Sequence, residues 1–178
     1  MVPNLFLAAR PAFDEAVAIA GLARQLNEDH GLRGHLVKQE NLHVTLVEFT
    51  KVEEREQTVL EKVPAAAQRV ALPAFDVVFD RAASFVVRKE NALVLTGGEG
   101  SATLVTLQRA LIAALHKEWL KVPSNPRYTP HMTLLYTGRA VPEIAVPPLR
   151  WTATEFAFIR SLPGKSTHLV LDRWSLRG

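Results

Sequence analysis

The chain contains no cysteine. Disulfides, thiol nucleophiles and zinc–thiolate centres are thereby excluded, and nothing in the composition calls for an oxidising compartment. Two further features are missing: an apolar run approaching the ~18 residues that a bilayer-spanning helix needs, and a basic N-terminal segment leading into a long apolar stretch, the mark of a signal peptide. The expectation is a cytoplasmic protein with no membrane contact. Long runs of one charge are absent too, which argues against a nucleic-acid-binding tail. There is no H-E-x-x-H or comparable cluster, so neither a metal ion nor any other cofactor is expected. Glycine is scarce, at 9 residues, and three of them fall in Gly97-Gly98-Glu99-Gly100. That stretch fits neither G-x-x-x-x-G-K-[S/T] nor G-x-G-x-x-G, and it reads as a flexible strand-to-helix connection.

What is present is an ordinary globular composition. A chain of 178 residues with 48% hydrophobic side chains can bury one core, as one domain or as two small lobes that share it. The net charge of +3 permits a polyanionic ligand without demanding one.

Periodicity gives the elements in order. Residues 4–9 form a short buried strand. A helix follows from Ala12 to about Asp29, with Asp14 and Glu15 suiting its positive end and His30 in a helix-end role. A short strand at 35–37 precedes a longer one at 42–49, and His35 is a further candidate for the neighbourhood of the site. A helix is expected over 52–62, its Glu53, Glu54 and Glu56 forming a solvated start, with Pro64 breaking or kinking it and 65–70 resuming it. Strands are expected at 75–80, 84–88 and 91–96, with a turn at Lys89-Glu90-Asn91. The next helix, capped by Ser101 or Thr103 and running to about Leu120, carries Leu104, Leu107, Leu111 and Leu115 as a core stripe. His116 on it reads as structural or exposed. A strand at 131–136 is followed by a proline-rich loop over 138–148 and by strands at 151–160 and 167–176, with a Pro163-Gly164 turn between those two. Trp151 and Trp174 read as core residues. Strand runs broken by three helices indicate an α+β protein, mostly antiparallel, with helices on the outside.

One pattern occurs twice. His43-Val44-Thr45-Leu46 and His131-Met132-Thr133-Leu134 both read His-x-Thr-Leu, in strand contexts 88 positions apart (131 − 43), close to half the chain. In a strand, residues i and i+2 share a face. Each copy therefore offers an imidazole and a hydroxyl together and turns Val44 and Leu46, or Met132 and Leu134, toward a core. A phosphodiester transfer without a metal needs two proton carriers, one for the attacking oxygen and one for the leaving oxygen, and an imidazole serves as either near neutrality. A nearby hydroxyl can hold a phosphate oxygen while charge develops. Arg127 and Tyr128, just before the second copy, are candidates for the cleft mouth, by charge and by stacking on a base.

These residues resemble the 2H phosphoesterase superfamily, and within it the 2′–5′ RNA ligase / RNA 2′,3′-cyclic phosphodiesterase group. Asn4-Leu5-Phe6-Leu7-Ala8 resembles that group's first strand, Glu40-Asn41-Leu42 and Tyr128-Thr129-Pro130 resemble the lead-ins to its motifs, and Trp151 through Leu176, with Arg160-Ser161, resembles its closing hairpin. The group often carries arginine where this chain has Tyr136, and strict alternation turns Tyr136 to the core side unless a bulge or the strand's end re-aims it.

The resemblance implies a single bilobal domain over residues 1–178, with two mostly antiparallel sheets around a central cleft and helices outside. It implies hydrolysis of 2′,3′-cyclic phosphate ends of RNA or nucleotides to 2′-phosphates, with 2′–5′ RNA ligation at the same site and a place in RNA processing. The catalytic set would be His43, His131, Thr45 and Thr133, with His43 as acid and His131 as base by analogy, an order the sequence does not fix. Arg127, Tyr128 and Tyr136 would contact a substrate, RNA or a nucleotide bearing the cyclic phosphate, in a monomeric protein. Two other readings compete: a cyclic phosphodiesterase for a small ADP-ribose-type nucleotide, and a nucleotide- or RNA-binding module with little catalysis.

Overall fold

Every strand pairing among the described residues is antiparallel. The structure, a computed structural model, describes residues 4–49, 55–87, 90–123, 125–162 and 166–177. In chain order the elements are β1 (Asn4–Ala9), α1 (Phe13–Asp29), β2 (His35–Leu36), β3 (Val44–Phe49), α2 (Glu56–Ala67), β4 (Phe75–Val87), β5 (Glu90–Thr96), α3 (Ser101–Lys117), β6 (Met132–Thr137), β7 (Ile144–Ala153), β8 (Glu155–Leu162) and β9 (Thr167–Ser175). Across the sheet they stand in the order β7-β4-β5-β6-β3-β1-β8-β9, with β2 added beside β6. Strands β6 and β3 are joined at one residue pair, Met132 with Val44. The expected two sheets therefore take the form of two four-stranded halves meeting at a single bridge.

Alternation along β1 divides the two faces. Leu5, Leu7 and Ala9 enter the main core under the helices, where α1 lies against β6 and β7, α3 against β3 and β4, and α2 on α3. Phe6 and Ala8 point to the other face, into a small cluster with Ala157, Ile159 and Val170. The predicted leucine stripe of α3 is fully buried: Leu104, Leu107 and Leu115 are 0% exposed and Leu111 is 1% exposed. Each such leucine contributes roughly 1.5–3 kcal/mol by leaving water. Trp151 is buried, and Trp174 stacks on Phe156 with ring centroids 5.4 Å apart. His30 is the C-cap of α1. His116, in the last turn of α3, contacts the Val122 carbonyl at 3.3 Å.

Several boundaries differ from the sequence expectation, each for a tertiary reason. Pro64 does not break α2. Val59, Val63, Ala66 and Ala67 on one side of that helix are buried, and this packing outweighs the ~3 kcal/mol that an interior proline costs. The strands expected at 75–80 and 84–88 are one strand, β4, because β5 and β7 flank it. The proline-rich loop is shorter than expected. Strand β7 runs through Pro147 and Pro148, which the edge of a sheet tolerates, and its register with β4 shifts there, between Phe79 and Arg81. The strand expected at 151–160 is split at Thr154 into the end of β7 and most of β8, which lie on opposite halves of the sheet.

Neither Ser101 nor Thr103 caps α3. Gly100 is the N-cap, and the Ser101 hydroxyl donates to the Gly97 carbonyl. The glycine stretch is the expected connection from β5 to α3, and it packs closely against β4. Gly98 and Gly100 have φ of +74° and +84°, and a Cβ on them would lie 2.1 Å from the carbonyl oxygens of Val78 and Asp76. Residues 50–54, Lys89 and Pro163-Gly164 lie outside the described residues, so the acidic pair Glu53 and Glu54 and part or all of two expected turns are not described. No helix among the described residues is long and apolar enough to cross a membrane.

Candidate active site

The Val44–Met132 bridge brings the two His-x-Thr-Leu copies together. Both residues are 0% exposed and anchor their strands in the core. Because the pairing is antiparallel, one step from this bridge sets His43 beside Thr133, and the opposite step sets Thr45 beside His131. All four side chains are half-buried, on the face away from the helices.

Each histidine is held by the same local device. The His43 Nδ1–H donates to the Asn41 carbonyl at 2.7 Å, and the His131 Nδ1–H donates to the Thr129 carbonyl at 2.8 Å. A carbonyl oxygen only accepts, so the proton sits on Nδ1 in both rings and Nε2 is left to exchange protons. In His43 that Nε2 lies 3.1 Å from the Thr45 hydroxyl. The Phe6 ring stacks on His43 at 4.9 Å with an interplanar angle of 30°, and His168 contacts it edge-on at 5.2 Å. His131 packs against Phe85 at 4.9 Å. The buried Asn41 side chain donates to the Ser166 carbonyl at 2.8 Å, which ties the His43 support to the start of the last hairpin strand.

Burial lowers the His43 pKa from its ordinary 6.5 to about 4. The bond to Asn41 opposes the shift, and the charges of His168, Arg10 and His131 add to it. His43 is therefore a neutral imidazole at neutral pH. His168 is lowered too, by burial first and by Arg10 second.

Strands β3 and β6 share one irregularity. Leu46 is the extra residue between the pairs Leu7–Val47 and Ala8–Thr45, and Leu134 is the extra residue between Leu93–Leu135 and Val94–Thr133. The bulge falls on the final leucine of each motif. It buries two consecutive residues and returns the one that follows them to the face of the threonine. Glu48 in β3 and Tyr136 in β6 therefore point to the open face, where strict alternation would have buried them. Tyr136 is 38% exposed, which corrects its expected placement on the core side. Its pKa is raised by burial first and by the Glu90 and Glu48 carboxylates, with the Thr133 side chain opposing the shift. Asn4 donates to Glu48 at 2.6 Å.

The remaining sequence candidates divide. The Tyr128 hydroxyl donates to the Thr45 backbone carbonyl at 2.7 Å, clamping the approach to the second motif onto the first, and burial pushes its pKa up. Arg127 is exposed, its backbone N–H bonded to Asn125 Oδ1. His35 is exposed in β2 opposite Tyr136. Sequence pattern did not single out Phe6, Arg10, Phe85 or His168 as neighbours of the histidines. Alternation of His168 with Val170 places both on one face of a strand, but only the sheet order reveals that this face adjoins His43.

A mixed α/β fold with three helices and a large antiparallel sheet among the described residues is the architecture of a 2H phosphoesterase. The profile of the 2′-5′ RNA ligase superfamily matches residues 13–165, and the chain belongs to that superfamily. Solved structures with the same fold include the TT0787 protein of Thermus thermophilus, at 22% identity, TM-score 0.75 and 98% coverage of both chains. Escherichia coli LigT in complex with 3′-AMP is similar at 22% identity and TM-score 0.71, covering 99% of this chain and 100% of LigT. The PDE domain of MHV ns2 is similar at 15% identity and TM-score 0.55, covering 90% of this chain and 100% of that domain. A comparison with curated proteins finds no match.

Proposed function

We propose that the protein hydrolyses 2′,3′-cyclic phosphate ends of RNA or nucleotides to 2′-phosphates, without a metal, by proton transfer between His43, His131 and the substrate. The observation that carries this reading is the single bridge that sets two identically held imidazoles, each with a threonine, on one face. Superfamily membership supports a phosphoesterase, and LigT has been solved with ATP, 3′-AMP and NADP+, which supports a nucleotide ligand.

The neutral state of His43 favours it as the base, the reverse of the order implied by analogy. Its Nε2 lone pair would take a proton from water as the water oxygen bonds to phosphorus. The bond from phosphorus to O3′ would break, and His131, carrying a second proton on Nε2 when the substrate binds, would deliver that proton to the departing O3′. The Thr45 and Thr133 hydroxyls would hold the non-bridging oxygens as charge accumulates. A 5′-hydroxyl in place of water would give 2′–5′ ligation by the same steps. The LigT complex with NADP+ supports a second reading, a small nucleotide cyclic phosphate as substrate.

The test is turnover by purified protein in EDTA on three substrates: a 2′,3′-cyclic mononucleotide, a short RNA ending in a cyclic phosphate, and an ADP-ribose cyclic phosphate. Chelation is expected to leave activity intact and the product to be a 2′-phosphate. A 3′-phosphate product, or activity lost in EDTA and restored by a divalent ion, would refute the mechanism. Hydrolysis of the ADP-ribose compound alone would select the second reading.

A further inference from the structure

Beside His43 lies a cavity of about 510 Å³ that the acid–base chemistry leaves unused. Its sheet-side wall continues the face that carries the histidines. Ala8 pairs with Ala157, and Ala157 with Arg173, so the side chains two steps along β1 and β8, Arg10 and Glu155, line the same face as Phe6 and Ala8. Leu42, the residue before His43, lines the cavity as well. Phe13, at the start of α1, lines the cavity too and is 75% exposed. An exposed phenyl ring at the mouth of a cavity has no core to support.

The polar lining is mixed. The Arg10 guanidinium donates to the Glu40 carbonyl oxygen, and Arg173 bonds Glu155 at 3.0 Å. The two guanidinium groups are close enough that, after burial, the Arg173 charge is the next cause of a lowered Arg10 pKa, with Glu155 opposing it. Arg10 in turn acts on both His43 and His168, which ties the cavity to the catalytic face. A flat aromatic ring, two converging cations and carboxylates able to accept hydrogen bonds match one kind of ligand: a nucleotide, with a base to stack, a ribose and base edge to bond, and one phosphate to pair.

We propose that this cavity is a second nucleotide subsite, which takes the residue next to the reacting end and makes the substrate an oligoribonucleotide rather than a mononucleotide. The proposal rests on the cyclic-phosphate reading above. Phe13 stacks on the base, while Arg10 and Arg173 pair with the phosphate that links it to the reacting nucleotide.

The test compares kcat/KM for a 2′,3′-cyclic mononucleotide and for a dinucleotide with the same cyclic phosphate end, in the wild type, Phe13→Ala, Phe13→Tyr and Arg173→Ala. The wild type should prefer the dinucleotide by roughly tenfold or more, the scale of one base stacked on an aromatic ring. Phe13→Ala should remove most of that preference, Phe13→Tyr should keep it, and Arg173→Ala should reduce both the preference and its salt dependence. Equal kcat/KM for the two substrates in the wild type, or a preference untouched by Phe13→Ala, would overturn the subsite. If neither substrate is turned over, binding of a labelled trinucleotide ending in a phosphate decides: weaker binding in Phe13→Ala upholds the subsite while the cyclic-phosphate reading falls, and equal binding rejects both.

Discussion

Val44 and Met132 face each other across the join of the two half-sheets, and each is the middle residue of a His-x-Thr triplet. The bridge is a backbone pairing between residues with fully buried side chains, so the relative position of the two histidines is set by the core, not by flexible loops.

The first prediction concerns those histidines. His43→Ala and His131→Ala should each reduce turnover by roughly two to four orders of magnitude, the range for general acid–base groups. The His43 variant should also melt lower than the His131 variant, because His43 is packed by both Phe6 and His168. Single-turnover rates and thermal melts check this, and near-wild-type turnover in either folded variant would refute the mechanism.

The second concerns pH. As pH falls through ~6.5 the unfolded chain protonates His43, whereas the folded protein does so only at about 4. Between those values the unfolded state binds more protons, so stability declines as pH falls and levels off below about 4. The His43 contribution to this loss is at most ~3 kcal/mol, and His168, shifted in the same direction, adds to it. Urea unfolding at pH 7, 5.5 and 4 should show a steeper decline for the wild type than for His43→Gln. Parallel curves would mean that His43 is not buried in its neutral form.

The third concerns Tyr136. Its ring stands on the open face, 38% exposed, and as a substrate contact its hydroxyl supplies one hydrogen bond, so Tyr136→Phe should raise KM by roughly twofold to tenfold, at ~0.5–1.5 kcal/mol. Tyr136→Ala should lower stability by about 1 kcal/mol, well short of the ~3–5 kcal/mol of a buried aromatic truncation. A large fall in melting temperature with unchanged KM would return Tyr136 to the core.

The fourth concerns the clamp between the motifs. Tyr128→Phe removes the donor to the Thr45 carbonyl and should cost about 1 kcal/mol of stability, with kcat falling more than KM rises as Thr45 loses its fixed position. Tyr128→Phe with kcat at the wild-type value would show that the bond does not position Thr45.

The sequence by itself determined the two motifs, the strand context that puts each histidine and threonine on one face, the first and third helices, and the absence of any thiol chemistry. Those features are local: alternation, a 3.6-residue stripe and residue identity act within a few positions of the chain. The tertiary structure decided the rest. The bulges at Leu46 and Leu134 exist only relative to partner strands, and they alone turn Tyr136 and Glu48 to the open face. Pro64 stays helical and Pro147-Pro148 stay in a strand because packing and an edge position override local preference. The protonation of His43 was also beyond the sequence, since the rings and charges that set it come from β1, β6 and β9, and desolvation depends on neighbours that only the folded chain assembles.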